Sequence, residues 1–141
     1  MKGYLLDTNC ISELVRPKPD PRVTEWMEAV DEALLYLSVL TLGEIRKGVA
    51  ALAQGKRRTN LETWLEVDLQ ARFSGRIALI DAEIADRWGL LASEAKRKGR
   101  ALSVIDGLIA ATALHHNFTI ISRNASDFAP TQVQVLNPWE A

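Results

Sequence analysis

Tyr4-Leu5-Leu6-Asp7-Thr8-Asn9 is the stretch from which the fold can be read. Three apolar residues run straight into an acid, and two small polar residues follow. A short apolar run of this kind reads as a buried strand whose carboxyl end presents a carboxylate. In open parallel α/β sheets, ligands sit just outside those carboxyl ends. Asp7 is therefore the first candidate for chemistry, and the remaining acids are judged by whether they can reach it.

The same kind of handover recurs along the chain. Strand character is expected over Gly3–Asp7, Ala33–Leu37, Ile77–Ile80, Thr119–Ser122 and Gln132–Leu136, the last as an edge. Helical spacing of apolar residues is expected over Asn9–Val15, Arg22–Val30 and a helix capped by Ser38 or Thr41 that carries Leu42, Ile45, Val49 and Leu52. Further helices are expected over Thr59–Phe73, Ala82–Lys98 with Asp81 as N-cap, and Val104–His115 with Ser103 as N-cap. Arg16-Pro17-Lys18-Pro19-Asp20-Pro21 reads as a rigid loop, because three prolines fix φ and remove donors. Alternating strands and helices predict an α/β protein with a mainly parallel sheet and helices on both faces.

Composition narrows the function classes. The chain has 141 residues, 48% hydrophobic and 25% charged, which suits one globular domain with a real core. A net charge of −1 gives no bulk attraction to nucleic acid, so any such contact must use local basic patches. The densest are Lys56-Arg57-Arg58 and Lys96-Arg97-Lys98 with Arg100. The single cysteine, Cys10, makes no internal disulfide and reads as a small buried residue. No stretch is long and apolar enough to span a membrane, and Met1-Lys2-Gly3 leads directly into a strand without a signal peptide. A cytoplasmic location is the expectation.

Three acids stand where strands hand over to helices or where apolar residues are expected. They are Asp7, Glu44 and Asp106. Each has a purely structural explanation. Asp7 suits an Asx turn, Thr41-Leu42-Gly43-Glu44 has the form of a capping box, and Ser103-Val104-Ile105-Asp106 is its aspartate version. Together they say more. Asp106 lies in Val104-Ile105-Asp106-Gly107-Leu108-Ile109-Ala110-Ala111, which poorly accommodates a solvated charge. A carboxylate there must be paired, protonated or bound to a cation. Clustered carboxylates raise one another's pKa unless a cation neutralises them. Hard oxygen donors without a His or Cys cluster suit Mg²⁺, with Mn²⁺ as a substitute, and such an ion can drive phosphodiester hydrolysis.

The motifs carry a resemblance. Leu5-Leu6-Asp7-Thr8-Asn9-Cys10-Ile11-Ser12-Glu13, Thr41-Leu42-Gly43-Glu44-Ile45-Arg46-Lys47-Gly48, Asp106-Gly107-Leu108-Ile109-Ala110-Ala111-Thr112-Ala113 and Ile120-Ile121-Ser122-Arg123-Asn124-Ala125-Ser126-Asp127-Phe128 resemble the four ordered motifs of PIN-domain proteins. Asn137-Pro138-Trp139 resembles the ending of the FitB-like branch. The resemblance spans almost the whole chain and implies one PIN domain over residues 1–141, built as a three-layer α/β/α sandwich around a five-stranded sheet. It implies a VapC- or FitB-type toxin: a Mg²⁺-dependent endoribonuclease, homodimeric, held by a cognate antitoxin and touching operator DNA only through that antitoxin. Metal-binding and catalytic roles fall on Asp7, Glu44 and Asp106, with Thr8 and Asn9 in support. The family's fourth acid aligns with neutral Asn124, with Asp127 as the alternative three residues on. Arg46, Lys47, Arg97 and Lys98 are the candidates for RNA contact.

Two other readings compete. A haloacid-dehalogenase-type phosphatase also places an aspartate after its first strand, but it wants an acid where Asn9 stands and a lysine that is not found. A degenerate PIN domain serving as a binding module is the other, suggested by Asn124.

Overall fold

The computed structural model describes residues 3–140. Its centre is a five-stranded sheet of β1 (Tyr4–Leu6), β2 (Leu35–Ser38), β3 (Ile77–Ala78), β4 (Thr119–Ile121) and β5 (Val135–Leu136). The order is β3-β2-β1-β4-β5, and every neighbouring pair is parallel. Register pairs Leu5 with Tyr36 on one side and with Ile120 on the other. Chain order runs outward in opposite directions from β1, so β1 and β4 flank the topological switch point. That is where open α/β sheets bind ligands.

Alternation along the strands sorts side chains onto two faces. Leu6, Leu35, Leu37 and Ile121 face a core completed by Cys10 and Ile11 of α1 (Thr8–Glu13), Val23 and Met27 of α2 (Pro21–Ala29), and Ile45 and Val49 of α3 (Val39–Ala50). Leu65, Leu69 and Phe73 close that layer. They belong to a helical run made of α4 (Lys56–Thr63), π-helical turns over Trp64–Leu69, and α5 (Gln70–Arg72). Leu5 and Ile120 face the opposite core with Ile109, Ala110 and Ala113 of α7 (Val104–His116). Leu91 of α6 (Ala82–Arg97) packs against it. This is the expected three-layer sandwich.

The differences from expectation lie at element ends. Strand β2 starts at Leu35 because Asp31 accepts the Ala33 N–H at 3.0 Å and winds Glu32–Leu34 into a 3₁₀ turn. Helix α3 starts at Val39, capped by Ser38, whose hydroxyl accepts the Leu40 N–H at 3.0 Å. Thr41 is therefore inside the helix and fully buried, and the Thr41–Glu44 capping box does not form. The helix expected from Thr59 begins at Lys56, after Gly55 at φ 157°, and widens into the π turns. The expected fifth strand contracts to two residues. Among the described residues, no helix is long and apolar enough to cross a membrane.

Candidate functional site

Asp7 ends β1 and caps α1 at once. Its Oδ1 accepts the Thr8 N–H at 2.9 Å. Its Oδ2 accepts the Ser122 hydroxyl at 2.8 Å and lies 3.5 Å from the Asn9 amide nitrogen. Ser122 directly follows β4 and is fully buried. Its oxygen also accepts the Asn9 amide at 3.2 Å and the Asn124 N–H at 3.0 Å. Thr8 donates its hydroxyl to Glu44 Oε1 at 2.6 Å, which ties α3 to the end of β1. Buried Thr41 lies behind this contact, 3.5 Å from Thr8 Oγ1. Thr8 thus hydrogen-bonds Glu44, and Asn9 reaches Asp7 and Ser122.

Asp106 comes from the opposite side, in the first turn of α7, where Ser103 accepts its N–H at 3.1 Å. The capping reading of Ser103 therefore holds alongside any chemical one. Two residues, Gly107 and Trp88, set how close α6 comes to this turn. A Cβ on Gly107 would stand 2.8 Å from Trp88 Cδ1 and 3.0 Å from its Nε1, so glycine is what admits the indole beside Asp106.

Electrostatics couples the acids to one another. Burial pushes the Asp7 carboxyl above its ordinary range. The Ser122 hydroxyl and Thr8 N–H oppose this, while the charges of Asp106 and Glu44 push it further up. Asp106 is also raised, first by burial and then, against the Ser103 hydrogen bond, by Asp127 and Glu44. Asp127 is exposed in the 3₁₀ turn Ala125–Phe128 after β4. Its charge acts on Asp106 ahead of Glu44. Asn124, the aligned position, uses its backbone N–H on Ser122, and its side chain makes no hydrogen bond among the described residues. The acid facing Asp106 from this loop is Asp127.

A family profile described as PIN domain matches residues 4–131. The chain belongs to the PIN domain family. Toxin FitB of Neisseria gonorrhoeae is 41% identical over 135 residues, covering 96% of this chain and 97% of that protein. VapC ribonuclease Y4jK of Sinorhizobium fredii is 39% identical over 136 residues, covering 96% and 97%. The crystal structure of FitAcB from Neisseria gonorrhoeae superimposes with a TM-score of 0.92 at 40% identity, covering 98% of this chain and 99% of that one.

This PIN site is an all-oxygen donor set in which acids repel one another. Among the described residues, no three acid, histidine or cysteine side chains converge tightly enough to ligate one ion directly. Donors of this chemistry suit a hard divalent cation rather than a soft one. Cys10 plays no part. Its thiol donates to the Ile121 carbonyl at 3.2 Å, and burial, then the Asp7 charge, pushes its pKa far up.

The basic candidates sit differently from the acids. Arg46 is engaged with Glu66 at 2.7 Å and Lys98 with Glu94 at 3.1 Å. Lys47 and Arg97 are exposed in the last turns of α3 and α6. None of the four hydrogen-bonds to the acid cluster among the described residues. An apolar groove of about 290 Å³ does open onto the site. Thr8 and Glu44 are at its polar end, and Ile45, Val49, Leu61 and Trp64 line its floor. A larger cavity of about 430 Å³ lies at the β3 edge, lined by Tyr36, Arg76, His116 and Phe118, away from the acids.

Ser122 is the functional residue that sequence reading left unassigned. The pairing of Leu6 with Ile121 puts residues 7 and 122 side by side at adjacent strand ends. The signal was present in the repeated form of an apolar triplet followed by a small polar residue, in Leu5-Leu6-Asp7-Thr8 and Ile120-Ile121-Ser122.

Proposed function

We propose that this PIN-domain chain is a divalent-cation-dependent endoribonuclease, with Mg²⁺ as the working ion, and the toxin of a bacterial toxin–antitoxin pair. The carrying observation is the hydrogen-bonded group of Asp7, Thr8, Glu44 and Ser122 at the carboxyl ends of β1 and β4, with the carboxyls of Asp7 and Asp106 both raised by burial and by neighbouring acids. Relatives named Toxin FitB and VapC ribonuclease, matched over nearly their whole length, support the same reading. An RNA substrate and an antitoxin partner are the reasons for placing the protein in the cytoplasm.

Asp7, Glu44 and Asp106 would hold the cation, partly through water, with Asp127 as a further acid. The cation would offset the carboxylate repulsion, polarise the phosphate and make a bound water more acidic. The protein's own contribution is orientation. Ser122 and Thr8 fix both oxygens of Asp7, and Thr8 fixes one oxygen of Glu44. Asp106 is half-buried and has a raised pKa. Asp7 or Asp106 would orient the attacking water.

The apolar groove running from Trp64 to Glu44 gives the antitoxin a seat. An apolar segment lying on Ile45, Val49 and Leu61 would bring a basic side chain to the acids and block them. The test is cleavage of structured RNA by the purified protein with Mg²⁺, with EDTA, and with Asp7→Asn or Asp106→Asn. Loss of cleavage in every arm but the first is expected, with the circular dichroism of the variants unchanged. Near-normal cleavage by a folded Asp106→Asn protein overturns the proposal.

A further inference from the structure

We infer that Lys18 and Arg123 form a separate site for the RNA backbone, gripping a phosphate that flanks the one being cut. This rests on the ribonuclease reading above. A chain of net charge −1 must concentrate cations locally to hold a polyanion. Beside the acid site is a cavity of about 420 Å³ whose lining includes Glu13, Arg16, Lys18, Asp20, Arg123 and Trp139.

The charges in this cavity do not cancel. Glu13 is 3% exposed and already satisfied, by Arg16 at 3.1 Å and by the Asp20 N–H at 2.8 Å. Those two bonds fold the proline-rich loop back over the cavity. Asp20 is paired with Arg22 at 2.9 Å and caps α2 through the Arg22 N–H. Both acids thus have a closer cation of their own; among the described residues Lys18 makes no ion pair, and Arg123 makes none either, its charge acting on Asp20 only at longer range. Neither has a side-chain carboxylate within ion-pair distance among the described residues, in contrast to Arg46 and Lys98.

Both cations are mounted to receive an anion. Lys18 stands between Pro17 and Pro19, whose fixed φ angles limit the backbone freedom lost on binding. The Arg123 guanidinium lies over the Trp139 ring at 5.5 Å. Stacking uses its face and leaves the N–H donors on its edge, the geometry that suits phosphate oxygens. Its backbone is anchored too, the N–H donating to Asn9 Oδ1 at 3.3 Å and the carbonyl accepting the Asn137 amide at 3.3 Å. Arg123 directly follows Ser122, the residue that holds Asp7, so its side chain leaves the chain at the rim of the acid site. A strand whose scissile phosphate lies over Asp7 and Asp106 passes this rim.

The experiment measures binding of a labelled oligoribonucleotide in EDTA, where nothing is cut, across a salt series. Wild type is compared with Lys18→Gln, Arg123→Gln, Arg123→Lys and the Lys18→Gln/Arg123→Gln double variant. Each phosphate contact to a single strand contributes about 0.7 to the slope of log affinity against log salt. Lys18 and Arg123 share one phosphate, so the double variant should lose about 0.7 of that slope. In the cleavage assay its loss should fall on KM rather than kcat, because the reacting phosphate is not touched. Arg123→Lys should restore most of the slope. An unchanged slope in the double variant, with wild type binding and cutting RNA, overturns the site and leaves the ribonuclease reading intact. So does Arg123→Lys behaving like Arg123→Gln while Lys18→Gln has no effect, since the defect is then packing on Trp139. Loss of antitoxin binding with unchanged RNA binding also overturns it, by assigning the patch to the protein partner. Absence of RNA binding and cleavage in wild type removes both proposals.

Discussion

Asp7 shows how one side chain can serve two purposes. One oxygen caps α1 and the other is held by Ser122, so the carboxylate is fixed before any ligand arrives. The Ser122 hydroxyl favours the charged form of Asp7 against burial and the neighbouring acids. Ser122→Ala should therefore raise the Asp7 pKa further and move the acidic limb of the kcat/KM profile to higher pH. Groups that orient a metal-binding residue typically contribute about 10–100-fold in affinity or activity. A loss of that size at neutral pH, recovered in part on raising pH, is the expected result in a pH–rate series. A uniform loss at all pH values would mean that Ser122 supports the fold and not the charge of Asp7. The acids themselves were legible in the sequence because carboxylates stood among apolar residues. Ser122 was not, because a buried serine after a strand has many ordinary uses and only pairing with β1 gives it this one.

At the scale of elements, α6 and α7 decide where Asp106 stands. Helix α7 is buried on most sides, with Gly107 and Ile109–Ala113 buried. Its closeness to α6 depends on Gly107 beneath Trp88. Gly107→Ala gains about 1 kcal/mol of helix propensity but forces a Cβ into the indole, and overpacking costs about 1–3 kcal/mol. The variant should melt a few degrees lower and cleave less, because the turn carrying Asp106 is displaced. Gly89, also in α6, has nothing within 4 Å of a built Cβ. Gly89→Ala should stabilise by about 0.4–1 kcal/mol with cleavage preserved. Thermal melts of the two alanine variants check the pair, and the same sign in both would refute the packing argument. The capping of α3 was legible only as a choice between Ser38 and Thr41. Both residues can cap, and the length of β2 selected Ser38.

For the whole molecule, the acid cluster is a stability cost when no cation is bound. Asp7 and Asp106 have folded pKa values above their unfolded ones. The folded state therefore binds more protons than the unfolded chain in the window between those values. Their contribution is most favourable below the unfolded carboxylate range and is lost as pH rises through the folded values. Half-buried Asp20 and exposed Glu32, each hydrogen-bonded by arginine, are shifted down and act in the opposite sense. A difference measurement isolates the site. In EDTA, Asp106→Asn and wild type should melt together near pH 4, and the variant should gain on wild type as pH rises to 7. Each kcal/mol corresponds to roughly 2–4 °C in a domain of about 150 residues. Added Mg²⁺ should raise the melting temperature of wild type at pH 7 and have much less effect on the variant, by mass action on the folded state. A gap that does not widen with pH would show that Asp106 is not repelled in the cluster.

The sequence by itself displayed the α/β alternation, the caps at Asp81 and Ser103, and Asp7, Glu44 and Asp106 as candidate acids. All of these follow from local periodicity and residue chemistry, which a linear chain displays. Tertiary structure alone decided that Asp127, three residues past the aligned Asn124, is the loop acid acting on Asp106. It also decided that Ser122 holds Asp7, and that Lys18 and Arg123 line one cavity with Trp139 without ion-pair partners among the described residues. Each of these depends on distances between elements far apart in the chain. Such distances are set by strand order and helix packing, to which spacing along the sequence is blind.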